Sequence, residues 1–136
     1  MARLVSGLAE IVVWSHDIER SLGFYRDLLG LTVMDKRPEV KPTFLKVADA
    51  AVGIPQMIVL VPHPDQGGSF PSDKALRTLH HMAFALGAAE YDQLESDCRQ
   101  AEIEVRGGIH PVLQGVRTFY IDDPDGNEVE IIGPAA

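Results

Sequence analysis

Apolar and polar positions along the chain fall into two runs of the same order. In the first, Leu8, Ile11, Val12, Val13 and Trp14 form an apolar stretch that reads as a buried strand. "HDIERSLGFYRDLLG" follows, with Ile18, Leu22, Tyr25 and Leu29 at spacings of 4, 3 and 4. That is one face of a helix, expected to lie buried against the first sheet. Asp17 is placed to cap the helix, Glu19 falls in its favourable first turn, and Gly30 is placed to end it. "LTVMDK", "TFLKVA" and "PQMIVLV" then read as three strands parted by Pro and Gly.

"PHPDQGGSFPSDK" breaks the pattern and predicts a surface loop or linker. After it the order returns. "LHHMAFAL" predicts a strand, and "AAEYDQLESDCRQAE" a helix with Tyr91, Leu94, Cys98 and Ala101 on one face. "IEVRGG", "VRTFYID" and "NEVEIIG" predict three more strands. The expectation is an α+β fold of two βαβββ modules, about 8–62 and 79–133, joined by a loop over 63–78, in one domain spanning 1–136. A common shift of 71 positions lays Glu10 over His81, Val59 over Glu130, and "IVL" over "VEI".

Glu10, His81 and Glu130 thereby take related places in the two modules. Glu10 sits among apolar residues, where a carboxylate is costly unless it is paired, hydrogen-bonded or bound to a metal. One imidazole and two carboxylates suit Fe(II), Mn, Zn, Ni or Co, and three protein ligands leave positions open for a substrate. The alternative is that Glu10 is an edge-strand charge reaching water. Alternation in a strand sends His80 and His81 to opposite faces, one of them as an ordinary hydrogen-bonded histidine, whereas Glu128 and Glu130 share a face. His16, His63 and His110 fall in loops or at element ends, His110 in "GGIHPVLQG" just before a strand. "DDPDGNE" reads as a tight turn that positions Glu130.

Composition narrows the classes. A net charge of −8 over 136 residues, with Lys and Arg scattered, argues against a general nucleic-acid or anionic-membrane surface. No apolar run approaches the roughly 20 residues that cross a bilayer, and the N-terminus lacks the apolar core of a signal peptide. Cys98 is the single cysteine, which excludes an intrachain disulfide and fits a cytoplasmic location; it reads as a packed thiol. No phosphate loop, dinucleotide glycine pattern, zinc-finger spacing or nucleophile elbow occurs.

"EIVVWSHDIERSLGFYRDLLGL", "LHHMAFAL" and "RTFYIDDPDGNEVEII" resemble the first strand and helix, the strand opening module two, and the final hairpin of the vicinal oxygen chelate superfamily. This is the glyoxalase, bleomycin-resistance and extradiol-dioxygenase group, and the resemblance covers about 8–133. It implies paired βαβββ modules whose sheets curve into a cleft around a divalent metal, with ligands from strands one and four of each module. Carried over by position, these are Glu10, Val59, His81 and Glu130. His81 and Glu130 match the pattern. Glu10 departs from it, because His or Gln is common there, and Val59 supplies no ligand. The implied site is Glu10–His81–Glu130 with Glu10 also eligible as a base.

The implied function is a metal-dependent enzyme that binds vicinal oxygens of a small organic substrate, leaning to a three-ligand, dioxygenase-like site. Glyoxalase- or epimerase-type isomerase or lyase chemistry is the first alternative. A non-catalytic, bleomycin-resistance-like drug-binding protein is the second, and the acidic charge favours it. Glu10 and Glu130 stand as catalytic candidates, and Trp14, Phe84, His110, Arg117 and Tyr120 as residues lining a pocket. A homodimer is expected, because four-stranded sheets leave edges that need covering.

Overall fold

The computed structural model describes residues 4–35, 42–49 and 52–136. Lys36, the last residue of the predicted strand "LTVMDK", lies outside them. The chain forms two compact units, Met1–Ser69 and Phe70–Ala136.

The first unit runs β1 (Glu10–Ser15), α1 (Ile18–Leu22), a π-helical turn (Gly23–Leu28), β2 (Thr32–Val33), β3 (Thr43–Ala48) and β4 (Gln56–Pro62). Its sheet has the order β1-β4-β3-β2, with β1 parallel to β4 and the other pairs antiparallel. The second unit repeats this with β5 (Met82–Ala85), α2 (Ala88–Gln100), β6 (Arg106–Gly108), β7 (Val116–Asp122) and β8 (Glu128–Pro134), in the order β5-β8-β7-β6. Two βαβββ modules are therefore present. The shift of 71 is visible in the pairing: Val12 lies opposite Val59 in the first sheet, and Ala83 lies opposite Glu130 in the second.

Each sheet has one side shaped by its helix. In the second unit Phe119, Ile121, Val129, Ile131 and Gly133 alternate onto the same side and are buried. The Tyr91 ring of α2 meets Phe119 edge-on at 4.9 Å. A Cβ on Gly133 would stand 2.8 Å from Tyr91 Cδ2, so glycine is what lets the helix come this close to β8. Leu94 and Cys98 complete the helix's buried face, while Ala101, expected on that face, is exposed at the helix end. Burial pushes the Cys98 thiol up to about 11. At pH 8 only about one molecule in a thousand then carries the thiolate. The folded protein is therefore expected to resist a thiol-titrating reagent until denaturant is added; rapid labelling of the native protein would contradict this packing.

Two expectations for the first unit need correcting. The helical face was expected to be Ile18, Leu22, Tyr25 and Leu29. Leu22 and Tyr25 are buried, but Ile18 and Leu29 are only half-buried, and Ser21 and Phe24 take their place. The wider turn from Gly23, where Leu29 N–H bonds to Phe24 O and Leu31 N–H to Tyr25 O, accounts for the later part of the change, Phe24 for Leu29. The cap and the stop are as expected: the Asp17 side chain accepts from Arg20 N–H, and Gly30 has φ +80°.

The second correction concerns β1. It is not buried on both faces. It is an edge strand, and Glu10, Val12 and Trp14 lie exposed on one side, Val12 at 52% and Trp14 at 50%. The cost of burying the Glu10 carboxylate therefore does not arise. Leu8, read as part of this strand, precedes it and is exposed.

Candidate functional site

The side of the second sheet away from α2 is polar. Cross-strand register sets Tyr120 opposite Glu130, Asp122 opposite Glu128 and Arg106 opposite Tyr120. His81 ends the stretch entering β5 and is half-buried. Its Nε2 lies 3.2 Å from Glu130 Oε2. The His81 ring also meets the Tyr120 ring edge-on, with centroids 5.8 Å apart. Gly108 leaves the room this needs, since a Cβ there would stand 2.6 Å from the Tyr120 ring. Burial, then the charge of Glu130, raises the Tyr120 phenol above its ordinary value. The phenol thus stays a hydrogen-bond donor through the neutral range.

Glu130 is the unusual member. It is buried at 3% exposure, and its Oε1 has no hydrogen-bond partner. Uncompensated burial of a carboxylate oxygen is expensive, so this atom is either a cost to the fold or awaits a partner of positive charge.

Beside the pair stands a separate charge cluster. Lys74 Nζ reaches Asp122 at 2.9 Å and Glu128 at 3.0 Å, and Arg106 reaches the same Asp122 oxygen at 2.7 Å. Two cations thereby compensate two acidic residues and leave Glu130 to His81. Behind the hairpin the Asp123 side chain accepts from Asp125 N–H, Asn127 N–H and Asn127 Nδ2, which confirms "DDPDGNE" as the turn that fixes the start of β8.

Of the residues expected at a site, the structure brings His81, Tyr120 and Glu130 together. Phe84 and Arg117 are on the other side of the same sheet. Phe84 pairs in register with Ile131, on the α2 side. Arg117 stacks on Tyr91 at 4.2 Å and bonds Asp92 at 2.7 Å. His110 organises its own loop, its Nδ1 accepting from Val112 and Leu113 N–H. In the first unit Trp14 meets the His63 ring edge-on at 5.4 Å, and Glu10 is exposed on β1. Val59 is buried and apolar at the place that Glu130 takes in the second unit. Among the described residues no group of three or more His, Cys, Asp or Glu side chains is arranged to hold a metal ion.

One contact was not anticipated. His80 and His81 do not part to opposite faces, because the strand begins only at Met82. Their Nδ1 atoms lie 2.8 Å apart.

The family model described as the Glyoxalase/Bleomycin resistance protein/Dioxygenase superfamily matches residues 7–131. The chain belongs to this superfamily. Solved structures of glyoxalase-superfamily proteins share its fold. A lactoylglutathione lyase from Agrobacterium tumefaciens is 26% identical over 96% of each chain, with a TM-score of 0.65. A glyoxalase/dioxygenase from Nostoc punctiforme is 21% identical over 100% of this chain and 99% of its own, at 0.71. An antibiotic-binding protein from a Streptomyces species is 22% identical over 98% and 100%, at 0.61. A search of curated proteins returns no match. The superfamily's frame is thus present over nearly the whole chain, and no helix among the described residues is long and apolar enough to cross a membrane.

Proposed function

We propose that this glyoxalase-superfamily chain is a metal-dependent enzyme that binds adjacent oxygens of a small organic substrate, with His81 and Glu130 holding the ion. The observation that carries the reading is the buried Glu130 carboxylate, with Oε1 unpartnered and Oε2 at 3.2 Å from His81 Nε2. Two ligand atoms that each lie about 2.0–2.2 Å from one ion are roughly 2.8–3.4 Å apart, so the pair already has the spacing of neighbouring ligands. One imidazole and one carboxylate also suit the first-row divalent metals. A divalent ion there supplies positive charge to an oxygen on which negative charge develops.

The chain's own groups supply the rest. Tyr120, with its phenol kept protonated, donates a hydrogen bond to a substrate oxygen next to Glu130. The packed α2 side of the sheet holds Glu130 in register, so the pair is formed before substrate arrives. Within this reading a dioxygenase-like reaction is one branch. The 26% identity to a lactoylglutathione lyase favours a second branch, proton transfer next to a carbonyl with a carboxylate as base.

Glu10 is carried as a candidate ligand by the repeat alone: it precedes the Val12–Val59 pair by the two residues that separate His81 from the Ala83–Glu130 pair. Metal titration of protein purified without chelators tests the whole reading. Wild type is expected to bind one equivalent of Fe(II), Mn, Zn, Ni or Co, His81→Ala to bind none, and Glu10→Gln to bind more weakly. An unchanged affinity in Glu10→Gln removes Glu10 from the ligand set. A wild type that binds no divalent ion would move the protein to the drug-binding class. We further propose a homodimer, since β1 and β5 are edge strands of their sheets, and, on the single cysteine, a cytoplasmic location; light scattering showing a monomer at micromolar concentration would oppose the dimer.

A further inference from the structure

Three strands of the second sheet share one polar row. Arg106 lies opposite Tyr120, and Tyr120 opposite Glu130, so the three side chains leave the same side of the sheet. Neighbouring strands are about 4.7–4.9 Å apart, which sets the Arg106 backbone roughly 10 Å from that of Glu130. The row is open at its Arg106 end. The Arg106 side chain is 31% exposed, and Gly108, the next residue on that side of β6, has no side chain to cover it.

Arg106 has donors to spare. Its Nη2 donates to Asp122 Oδ1 at 2.7 Å, one nitrogen to one oxygen. Arginine commonly meets a carboxylate through two parallel N–H bonds, and here Nε and Nη1 donate to nothing among the described residues. Asp122 does not depend on Arg106 alone, since Lys74 Nζ reaches the same Oδ1 at 2.9 Å and Glu128 at 3.0 Å. The charges of this face also bear on what it takes. Lys74 and Arg106 cancel Asp122 and Glu128, so Glu130 leaves the metal-free face negative. With a divalent ion held by His81 and Glu130, the sign of the face is reversed.

We propose that Arg106 selects the substrate, a small carboxylic acid anion. Its adjacent oxygens bind at the His81–Glu130 end of the row, and its carboxylate is taken by the unused edge of the Arg106 guanidinium. The inference rests on the metal reading for the first end of the molecule. The anion site at the other end stands on Arg106 itself. Tyr120 lies between the two in the row, so a ligand too short to pass its ring, or one with an uncharged tail, forgoes the Arg106 contact.

The test uses the full chain loaded with zinc and two probes: the monohydroxamate of glutaric acid, and the same molecule with its carboxylate replaced by an uncharged amide. Both chelate zinc through adjacent oxygens, and only the first brings a charge to Arg106. Calorimetric titration is expected to show the carboxylate probe binding about tenfold more tightly, the effect of one charge-assisted contact discounted for exposure. Arg106→Gln is expected to remove that preference. Equal binding of the two probes by wild type, or a preference that survives in Arg106→Gln, would overturn the proposal. A second measurement needs no metal. In zinc-free protein labelled with nitrogen-15, acetate is expected to shift the Arg106 Nε–H resonance and to saturate. Wild type that binds no zinc defeats the metal reading. An Arg106 resonance that acetate leaves in place, or moves without saturating, defeats the anion site itself, whichever way the zinc result falls.

Discussion

Glu130→Gln is expected to lose metal affinity by about a hundredfold or more while the protein melts at the same temperature or higher. Structural metal sites release roughly 10–16 kcal/mol, so one ligand of three or four accounts for a few kcal/mol, and every 1.4 kcal/mol is tenfold. The stability half of the result has a separate cause. Glu130 is 3% exposed and its Oε1 is unpartnered, a configuration that ordinarily costs on the order of 1–3 kcal/mol. Glutamine keeps the shape and the acceptor facing His81 and removes the buried charge. Calorimetric titration and thermal melts of the same preparation measure both. Unchanged affinity together with a fall in melting temperature would make Glu130 a structural carboxylate and its contact with His81 an ordinary ion pair.

Phe119→Ala is expected to give the largest loss of stability in the second unit, about 3–5 kcal/mol, the usual range for truncating a buried aromatic. Phe119 is 1% exposed, lies opposite Ile131 and is fitted against Tyr91. A domain of this size loses roughly 2–8 °C of melting temperature per kcal/mol, so a drop of more than about 10 °C is anticipated. Phe119 faces α2 and touches neither His81 nor Glu130, so metal affinity measured well below the transition should be retained. A melt within a few degrees of wild type would show that the core around α2 can collapse onto the cavity.

The two stability outcomes are opposite in sign because the two residues lie on opposite sides of one sheet; the strands themselves were legible from the sequence, but which residues share a side follows only from the register. Laying "VRTFYID" end to end against "NEVEIIG" would set Tyr120 against Val129, whereas the observed register is shifted by one residue and sets Tyr120 against Glu130 and Phe119 against Ile131. The repeat was legible, since the apolar periods of "IVVW" and "MAFA" and of "IVL" and "VEI" are held in one register by parallel pairing. The register excludes Phe84 and Arg117 from the Glu130 side: Phe84 lies opposite Ile131 and Arg117 opposite Gly133, each an odd step along β8 from Glu130.

Other features were out of reach. The burial of β1 was misjudged because a run of apolar residues looks alike in a central strand and in an edge strand, and only the sheet order tells them apart. The helical face drifted because a π turn adds a residue that no periodicity of 3.6 anticipates. The His80–His81 contact lay outside any strand pattern, because both residues precede β5 and alternation does not govern them.

The segment before β5 has the composition of a free loop, with Pro and Gly throughout, yet it is tied down at both its cations. The Arg77 guanidinium donates to Pro71 O and Asp125 O, and Lys74 bridges Asp122 and Glu128 across 48 and 54 positions of sequence. The part of the segment inside the second unit, from Phe70, is thereby fastened by side chains to the final hairpin. His81 therefore enters from a segment anchored on the hairpin that carries Glu130, so the length of free chain leading to the pair is only the few residues after Arg77.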